Sequence, residues 1–143
     1  MKLPAINTPE RSAFDFLSAW ERKDYEAMFK LCQITWVQTT ENAMGWLTNT
    51  FSALELNKFT IQGSKRTSAD QNNPVNLVHV FIKVHIKYQH LKDEKKAIED
   101  IKSSSIINCI RETAKYEPSE NGSWGVNPIS VLKTIAPGNR EKS

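Results

Sequence analysis

The chain is poor in cysteine, and the two that it has, Cys32 and Cys109, lie far apart among 143 residues. Neither stands at a spacing that is typical of a metal site, and a disulfide-stapled secreted domain would carry more cysteines. We therefore expect two free thiols and no metal or other cofactor. Cys32 falls on an apolar helix face, so we expect it to pack in the core rather than to act as a nucleophile.

Long apolar runs and charge of one sign are also missing. No stretch of about 18 apolar residues exists, and residues 1–7 lack the apolar centre of a signal peptide. We therefore expect a cytoplasmic protein that contacts no membrane, with a leader removed before residue 1 as the alternative. The net charge of +3 is made of interleaved signs, since the lysine-rich segment 92–102 also carries acidic residues. It indicates no particular acidic partner.

The strongest pattern that is present predicts one long β-strand over residues 75–88. Even positions from Val78 to Tyr88 are apolar, whereas odd positions carry histidine and lysine around Phe81. This period of two is typical of a strand with one buried face. At about 3.3 Å per residue such a strand would run about 45 Å, which favours a bent and twisted sheet over a flat one.

Three amphipathic helices are predicted before any strong strand. Thr8 and Pro9 form a helix start, followed by an apolar stripe that predicts a helix to Arg22. Asp24 can cap a second, short helix. Thr39 or Thr40 can cap a third helix, whose apolar side ends near Leu54.

Strands dominate the remainder. A strand is predicted from Leu56, with Gly63 at a bulge, and another over residues 103–113, whose apolar residues lie on both faces and suggest a central position without settling its facing. Asn121 and Gly122 predict a hairpin turn before a last strand over residues 124–132, in which Pro128 requires an edge or a bulge. We expect a single domain over residues 8–133 and a polar tail over residues 134–143.

This order predicts an α+β fold in which N-terminal helices pack on a strongly bent antiparallel four-stranded sheet. The helix opening Thr8-Pro9-Glu10, its end from Ala19 to Met28, the long strands and the closing Ser123-Trp124-Gly125-Val126 resemble the nuclear transport factor 2-like superfamily, the cystatin-like or ketosteroid-isomerase-like cone. The resemblance implies a conical cavity between the helices and the sheet, and a dimer through the outer sheet face. It leaves function open, because this fold hosts enzymes, adaptors and ligand binders.

Enzymes on such a cone place an acid inside the cavity as general base. Asp15, Glu26 and Glu41 fall off the apolar faces of their helices, and the even face of the long strand carries no acid. Glu112 remains as a weak candidate, with a solvated strand end or a lysine pair as the alternative. No catalytic pair is carried over from the isomerases.

Histidines do not predict a metal site. His79 and His85 share one strand face but lie about 20 Å apart, whereas two ligands of one ion must lie within about 4 Å of each other. They are interpreted as solvated or interface residues, with a site shared across a dimer as the alternative. His90, of opposite parity, could reach the rim of the cone.

Large side chains on the predicted inward faces are either plain core or the lining of a pocket for a small apolar ligand. They are Phe16, Trp20, Trp46, Phe59, Val84 and Trp124. On the outer face, His79, Phe81, Lys83 and His85 predict either a solvated surface or a symmetric dimer interface. Nucleic-acid binding is not expected, because this strand lacks stacking aromatics and a continuous basic groove.

The first functional hypothesis is therefore a non-enzymatic cone-fold domain that binds a small ligand or a protein partner. The alternative is a cofactor-free lyase or isomerase that uses Glu112 or a rim histidine on a small apolar substrate. A third is an assembly domain whose cone is filled by aromatic side chains.

Overall fold

The computed structural model describes residues 3–66, 76–92, 95–115, 117–119 and 121–134, with side chains described except at 88–92, 95–99, 133 and 134. The predicted polar tail beyond Thr134, the side chain of the rim residue His90 and most of the loop that precedes the long strand lie outside this description, and Thr134 itself ends a helix. Ten elements follow one another in the order α1 to α4, β1 to β5 and α5.

The first two helices begin where their capping residues predict. Helix α1 spans Pro9–Glu21, and the Thr8 hydroxyl oxygen accepts a hydrogen bond from the amide of Arg11 at 3.2 Å. Helix α2 spans Tyr25–Lys30, and the Asp24 carboxylate accepts one from the amide of Ala27 at 3.1 Å. Each cap satisfies an amide that the helix itself leaves unpaired.

The next two helices differ from the prediction of a single third helix. Helix α3, Ile34–Thr39, was not predicted, and helix α4 spans Ala43–Ser52. Neither Thr39 nor Thr40 caps α4, because Thr39 is the last residue of α3 and its hydroxyl donates to the carbonyl of Thr35. The residue before α4 is Asn42, at a left-handed φ of 48° that asparagine tolerates better than most residues.

Three long antiparallel strands form the centre of the sheet. They are β1 (Leu54–Arg66), β2 (Leu77–Lys92) and β3 (Lys95–Ala114), in the order β1-β2-β3. The predicted alternation of β2 is confirmed from Val78 to Ile86, where every even position is buried. Strand β1 carries two bulges, and one of them adjoins Gly63 as predicted. Bulges bend a strand and increase its twist, which suits a curved sheet.

Strand β3 is central, as expected, because β2, β4 (Glu117–Pro118) and β5 (Ser123–Asn127) all pair with it. The structure shows which side chains of β3 face the core, since those at odd positions from Ile101 to Cys109 are buried. The sheet thus has five strands where the sequence predicted four. Helix α5, Pro128–Thr134, follows β5 directly.

The predicted hairpin at Asn121 and Gly122 is instead a crossing over β3. Strands β4 and β5 both pair with Glu112 and not with each other, so they lie on opposite edges of β3. Between them the chain passes so close that a Cβ atom on Gly122 would lie 2.3 Å from the carbonyl carbon of Glu112. Glycine is required here by close approach of two backbones.

The last strand was predicted over residues 124–132, but the observed strand β5 ends at Asn127. The Asn127 carboxamide oxygen accepts the amide of Ile129 at 3.0 Å, so this residue acts as a helix cap. Pro128 then takes the first helical position, where its missing N–H costs nothing. The proline therefore starts α5 and does not interrupt an edge strand.

The segment before α3 closes the fold onto the last strand. The amide of Gln33 donates to the carbonyl of Val126 at 2.9 Å, and the amide of Val126 donates to the carbonyl of Leu31 at 2.8 Å. This short parallel bridge leaves no room for a side chain at position 125, where a Cβ atom would lie 2.7 Å from the Cα of Gln33. In the described part of the chain, no helix has the length and apolar character to cross a membrane.

Candidate functional site

The helix-facing side of the sheet is packed with side chains. Phe16, Trp20 and Phe51 are at most 1% exposed, and the rings of Phe16 and Trp20 both meet Phe51 edge to face, at 5.8 and 4.9 Å between centroids. The indole N–H of Trp20 donates to the carbonyl oxygens of Leu54 at 2.8 Å and Phe51 at 3.2 Å. The polar atom of this tryptophan is thus satisfied inside the protein.

Of the other residues predicted to line a pocket, Trp46 joins this cluster, since its ring lies 6.4 Å from that of Phe51, and the rest pack elsewhere. Trp46 meets Trp36 at 5.6 Å, the Phe59 ring meets Phe14 at 5.5 Å, and the Arg111 guanidinium lies 4.9 Å from the ring centre of Trp124. Val84 is buried to 3% exposure. In the described ranges, the structure does not gather the six predicted residues around one cavity.

A cavity of about 350 Å³ lies at the end of the cone where α1 and α4 meet β1. Apolar atoms of Trp20, Tyr25 and Leu54 line it together with charged residues. The Lys23 ammonium lies 3.8 Å from the Glu55 carboxylate across this opening. We call it the mouth cavity.

The outer face of the sheet carries two different surfaces. The odd positions of β2 point to this face and pair with the even positions of β3. Toward one end it presents the apolar half, which consists of Leu77, Phe81, Ile106 and Ile110, all half-buried or exposed. Toward the other end it presents the basic groove, lined by Lys58, Thr60, Lys83, His85 and Lys102.

The basic groove is a depression of about 320 Å³ that crosses three strands. Lys58, His85 and Lys102 are directly paired and form one wall, and Lys83 and Thr60, also paired, form the other. Phe59, Val84 and Ser103 lie between the two walls. Because its wall residues occupy outward positions of β1, β2 and β3, the groove lies on the outer face, and these three inward-facing residues border it through their backbone. Val84 and Phe59 thus border a cavity, although not the one predicted.

Glu112 lies on the outer face and not inside the cone. It lines a cleft of about 470 Å³ with Leu77, Ile110, Pro118 and the N-terminal end of α3, where Gln33 and Thr35 lie. Its side chain is 3% exposed and accepts hydrogen bonds from the Thr35 hydroxyl and from the Thr35 amide at 3.4 Å. It is therefore neither a solvated strand end nor, among the described side chains, half of an ion pair with a lysine.

These contacts give Glu112 a structural role. The residue before α3, Gln33, makes no side-chain cap, and Thr35 is the second residue of that helix. The backbone amide of Thr35 is one that normally donates a hydrogen bond to the side chain of the N-cap residue. Glu112 therefore caps α3 from a strand distant in sequence, and its negative charge lies at the positive end of the helix.

We expect Glu112→Ala to lower the free energy of unfolding by about 1–2 kcal/mol, the usual cost of losing a helix cap. Urea denaturation followed by tryptophan fluorescence would measure it. Thr35→Val removes the hydroxyl partner, so the double variant should lose less than the sum of the two single losses. Glu112→Ala protein as stable as the unchanged chain would contradict this role.

The predicted histidines lie on the outer face as expected. His79 Nδ1 lies 2.6 Å from the Asn108 carboxamide oxygen, and His85 Nε2 lies 3.6 Å from the Asp100 carboxylate. Among the described residues, no three histidine, cysteine, aspartate or glutamate side chains form a group that could hold a metal ion.

Both cysteines are free and buried, which confirms the expectation from their number and spacing. Burial raises the pKa of the Cys32 thiol to about 12. It also raises the pKa of the Cys109 thiol, to which the charge of Glu10 contributes. Both groups stay protonated near neutral pH, so neither is a ready nucleophile.

Sequence reasoning missed Lys58 and Lys102 as residues of one surface. Between Leu56 and Lys58 the register of β1 shifts, so that Lys58 faces outward opposite His85. A bulge re-aims side chains in this way. Nothing in the alternation of β1 reveals that Lys58 and Lys102 flank the same histidine.

No protein-family model and no curated protein matches the chain. Among solved structures, the chain is similar to a ketosteroid isomerase-like protein from Erwinia carotovora atroseptica, with a TM-score of 0.51 and 13% sequence identity. The match covers 82% of this chain and 86% of that chain. The chain therefore has the ketosteroid-isomerase-like cone fold, as the resemblance implied. At this identity the likeness concerns the fold alone.

Proposed function

We propose that this protein is a non-enzymatic interaction domain that forms a homodimer through the apolar half of its outer sheet face. The observation that carries the proposal is the packing of the cone. Phe16, Trp20 and Phe51 occupy the space between helices and sheet, whereas the basic groove and the Glu112 cleft both open on the outer face. An open outer face of this kind is better suited to binding another protein than to enclosing a substrate.

The apolar half of the outer face is suited to contact with the same surface on a second copy of the chain. Phe81 is 36% exposed beside Ile106, its direct partner on β3, and the half continues through Leu77 and Ile110 into the Glu112 cleft. The row between them consists of His79, which Asn108 holds on β3, and Lys65 on the edge strand β1. With few charges at its centre, this half can face its own copy across a two-fold axis without strong repulsion.

The test is Phe81→Glu, which would bury two carboxylates at the centre of such a dimer. We expect dimerisation about 100-fold weaker, the loss of about 2.7 kcal/mol that an aromatic anchor can supply. Native mass spectrometry and sedimentation velocity would measure it. Ile129→Glu is the matched control, because Ile129 is 37% exposed, like Phe81, but belongs to helix α5 and not to the sheet. A monomeric unchanged protein, or an equally dimeric Phe81→Glu protein, would overturn the proposed interface.

The mouth cavity supports a second candidate, the binding of a small ligand. Its apolar wall of Trp20, Tyr25 and Leu54 could receive an apolar group, while Lys23 and Lys87 could hold a polar end. The same mass spectra test this candidate, since a retained small molecule would add mass under native settings and leave under denaturing settings.

A cofactor-free lyase or isomerase is less well supported. One of its two acid–base candidates, Glu112, lies outside the cone and has both carboxylate oxygens bonded to Thr35, and the side chain of the other, His90, lies outside the described part of the chain. A substrate would have to enter the outer cleft and displace one of these hydrogen bonds.

A further inference from the structure

The basic groove concentrates positive charge that the net charge of the chain does not indicate. Lys58, His85 and Lys102 are direct cross-strand neighbours on adjacent strands, and Lys83 is the next outward residue of β2. Lys83 lies diagonally across from both Lys58 and Lys102, about 7–8 Å away, so the lysines of three strands meet on one small surface. An anion that lies in the groove would neutralise Lys58 and Lys102, which flank His85 on its two neighbouring strands.

Among the described side chains, one carboxylate lies beside the central histidine of the groove. The Asp100 carboxylate lies 3.6 Å from His85, at the margin of the groove. Lys58 and Lys102 have no ion-pair partner among the side chains that the structure describes. Both are exposed, so their ammonium groups are accessible from solvent.

We propose that the basic groove binds an acidic segment of a protein partner. This inference rests on the proposed function, an interaction domain, and names the partner class and the surface that it uses. An extended segment lying across β1, β2 and β3 would place its carboxylates between the two walls. Lys58 and Lys102 would hold its ends, and backbone atoms at Val84 would form the floor.

The spacing of the cations favours a peptide over a small anion. Lys58 and Lys102 are two strand spacings apart, about 10 Å, and the two walls are separated by two residues of one strand, about 7 Å. One phosphate cannot contact all of these positions, whereas carboxylates along a chain can. Among the described residues that line the groove there is no arginine for bidentate phosphate binding, and the wall residues include no aromatic ring on which bases could stack.

The basic groove and the apolar half are neighbours on one face but separate surfaces. A dimer centred on Phe81 would leave the rows of Lys58 and Lys102 toward its margin, since His85 and Phe81 are four residues apart on β2. The homodimer could then carry two grooves, one for each copy. Binding of an acidic partner would not require the dimer to separate.

The experiment uses fluorescence anisotropy with the 143-residue chain and a labelled, end-capped peptide of six alternating Glu and Asp residues. We expect binding at about 50 mM salt that weakens strongly at about 300 mM, because the contacts are exposed ion pairs. Lys58→Gln and Lys102→Gln should each weaken binding about threefold to tenfold. Lys30→Gln, an exposed lysine on α2, removes the same charge elsewhere and should leave binding nearly unchanged.

Several outcomes would overturn this inference. They are no binding of the acidic peptide, equal binding of a Gln and Asn peptide, or an equal loss from Lys30→Gln. Tight binding of inorganic triphosphate or of a single-stranded oligonucleotide without binding of the peptide would replace it with a phosphate site. The dimer measurement on Phe81→Glu is independent, so a monomeric protein that binds the peptide would contradict only the proposed interface.

Discussion

Gly122→Ala is expected to destabilise the protein by about 3–4 kcal/mol, at the upper end of what overpacking costs. The added Cβ would lie 2.3, 2.4 and 2.7 Å from the carbonyl carbon, oxygen and nitrogen of Glu112. All three are backbone atoms of the central strand, so no side chain can rotate away. The crossing chain would have to lift from β3, and the pairing of β5 would suffer with it.

Thermal and urea unfolding would measure this loss, which corresponds to a fall in Tm of about 10–15 °C for a domain of this size. Asn121→Ala is the matched control, because it alters an exposed side chain in the same turn and leaves the backbone free. It should change stability by less than about 0.5 kcal/mol. If Gly122→Ala unfolded at the same urea concentration as Asn121→Ala, the close crossing would be wrong.

Trp20→Ala is expected to cost about 4 kcal/mol, because it opens a large cavity in the packed cone. The side chain is 1% exposed and packs edge to face on Phe51. Removing the indole also leaves the carbonyl oxygens of Leu54 and Phe51 without their donor. An unpaired buried carbonyl adds to the loss of packing.

Two comparisons separate these contributions in urea denaturation. Trp20→Phe keeps an aromatic ring but removes the N–H, so its cost should fall to about 2 kcal/mol. Trp46→Ala removes a tryptophan that is only half-buried, and it should cost less than Trp20→Ala. Equal losses of stability from Trp20→Ala and Trp46→Ala would mean that Trp20 contributes no more to packing than a partly exposed aromatic residue. That result would contradict a cone filled by side chains.

Local signals predicted the elements that are governed locally. The caps Thr8 and Asp24 predicted α1 and α2, and alternation predicted β2 with its buried face. Helix α3 was missed because its cap, Glu112, lies 77 residues away and no local residue replaces it. The same separation in sequence explains why alternation predicted which face of β3 carries Glu112 but did not predict its hydrogen bonds with Thr35.

The outer surface was predicted only along one strand. Alternation placed Phe81, Lys83 and His85 outward, and the structure agrees. The groove itself depends on how three strands align, and the bulge near Lys58 sets that alignment on β1. A one-residue shift of β1 relative to β2 reverses which of its side chains face outward. The pattern of one strand alone therefore does not predict how its residues align with those of its neighbours.

The parallel bridge between residues 31–33 and β5 has a consequence for how the chain emerges from the ribosome. The helices α1 to α4 are synthesised first, yet the segment between α2 and α3 has its backbone partner at Val126, near the end of the described chain. Domains are built from the N-terminus at about 5–20 residues per second, so these helices wait several seconds with Phe16, Trp20 and Phe51 uncovered by sheet. Nascent chains stalled before residue 123 should therefore expose apolar surface to chaperones, and release past α5 should hide it.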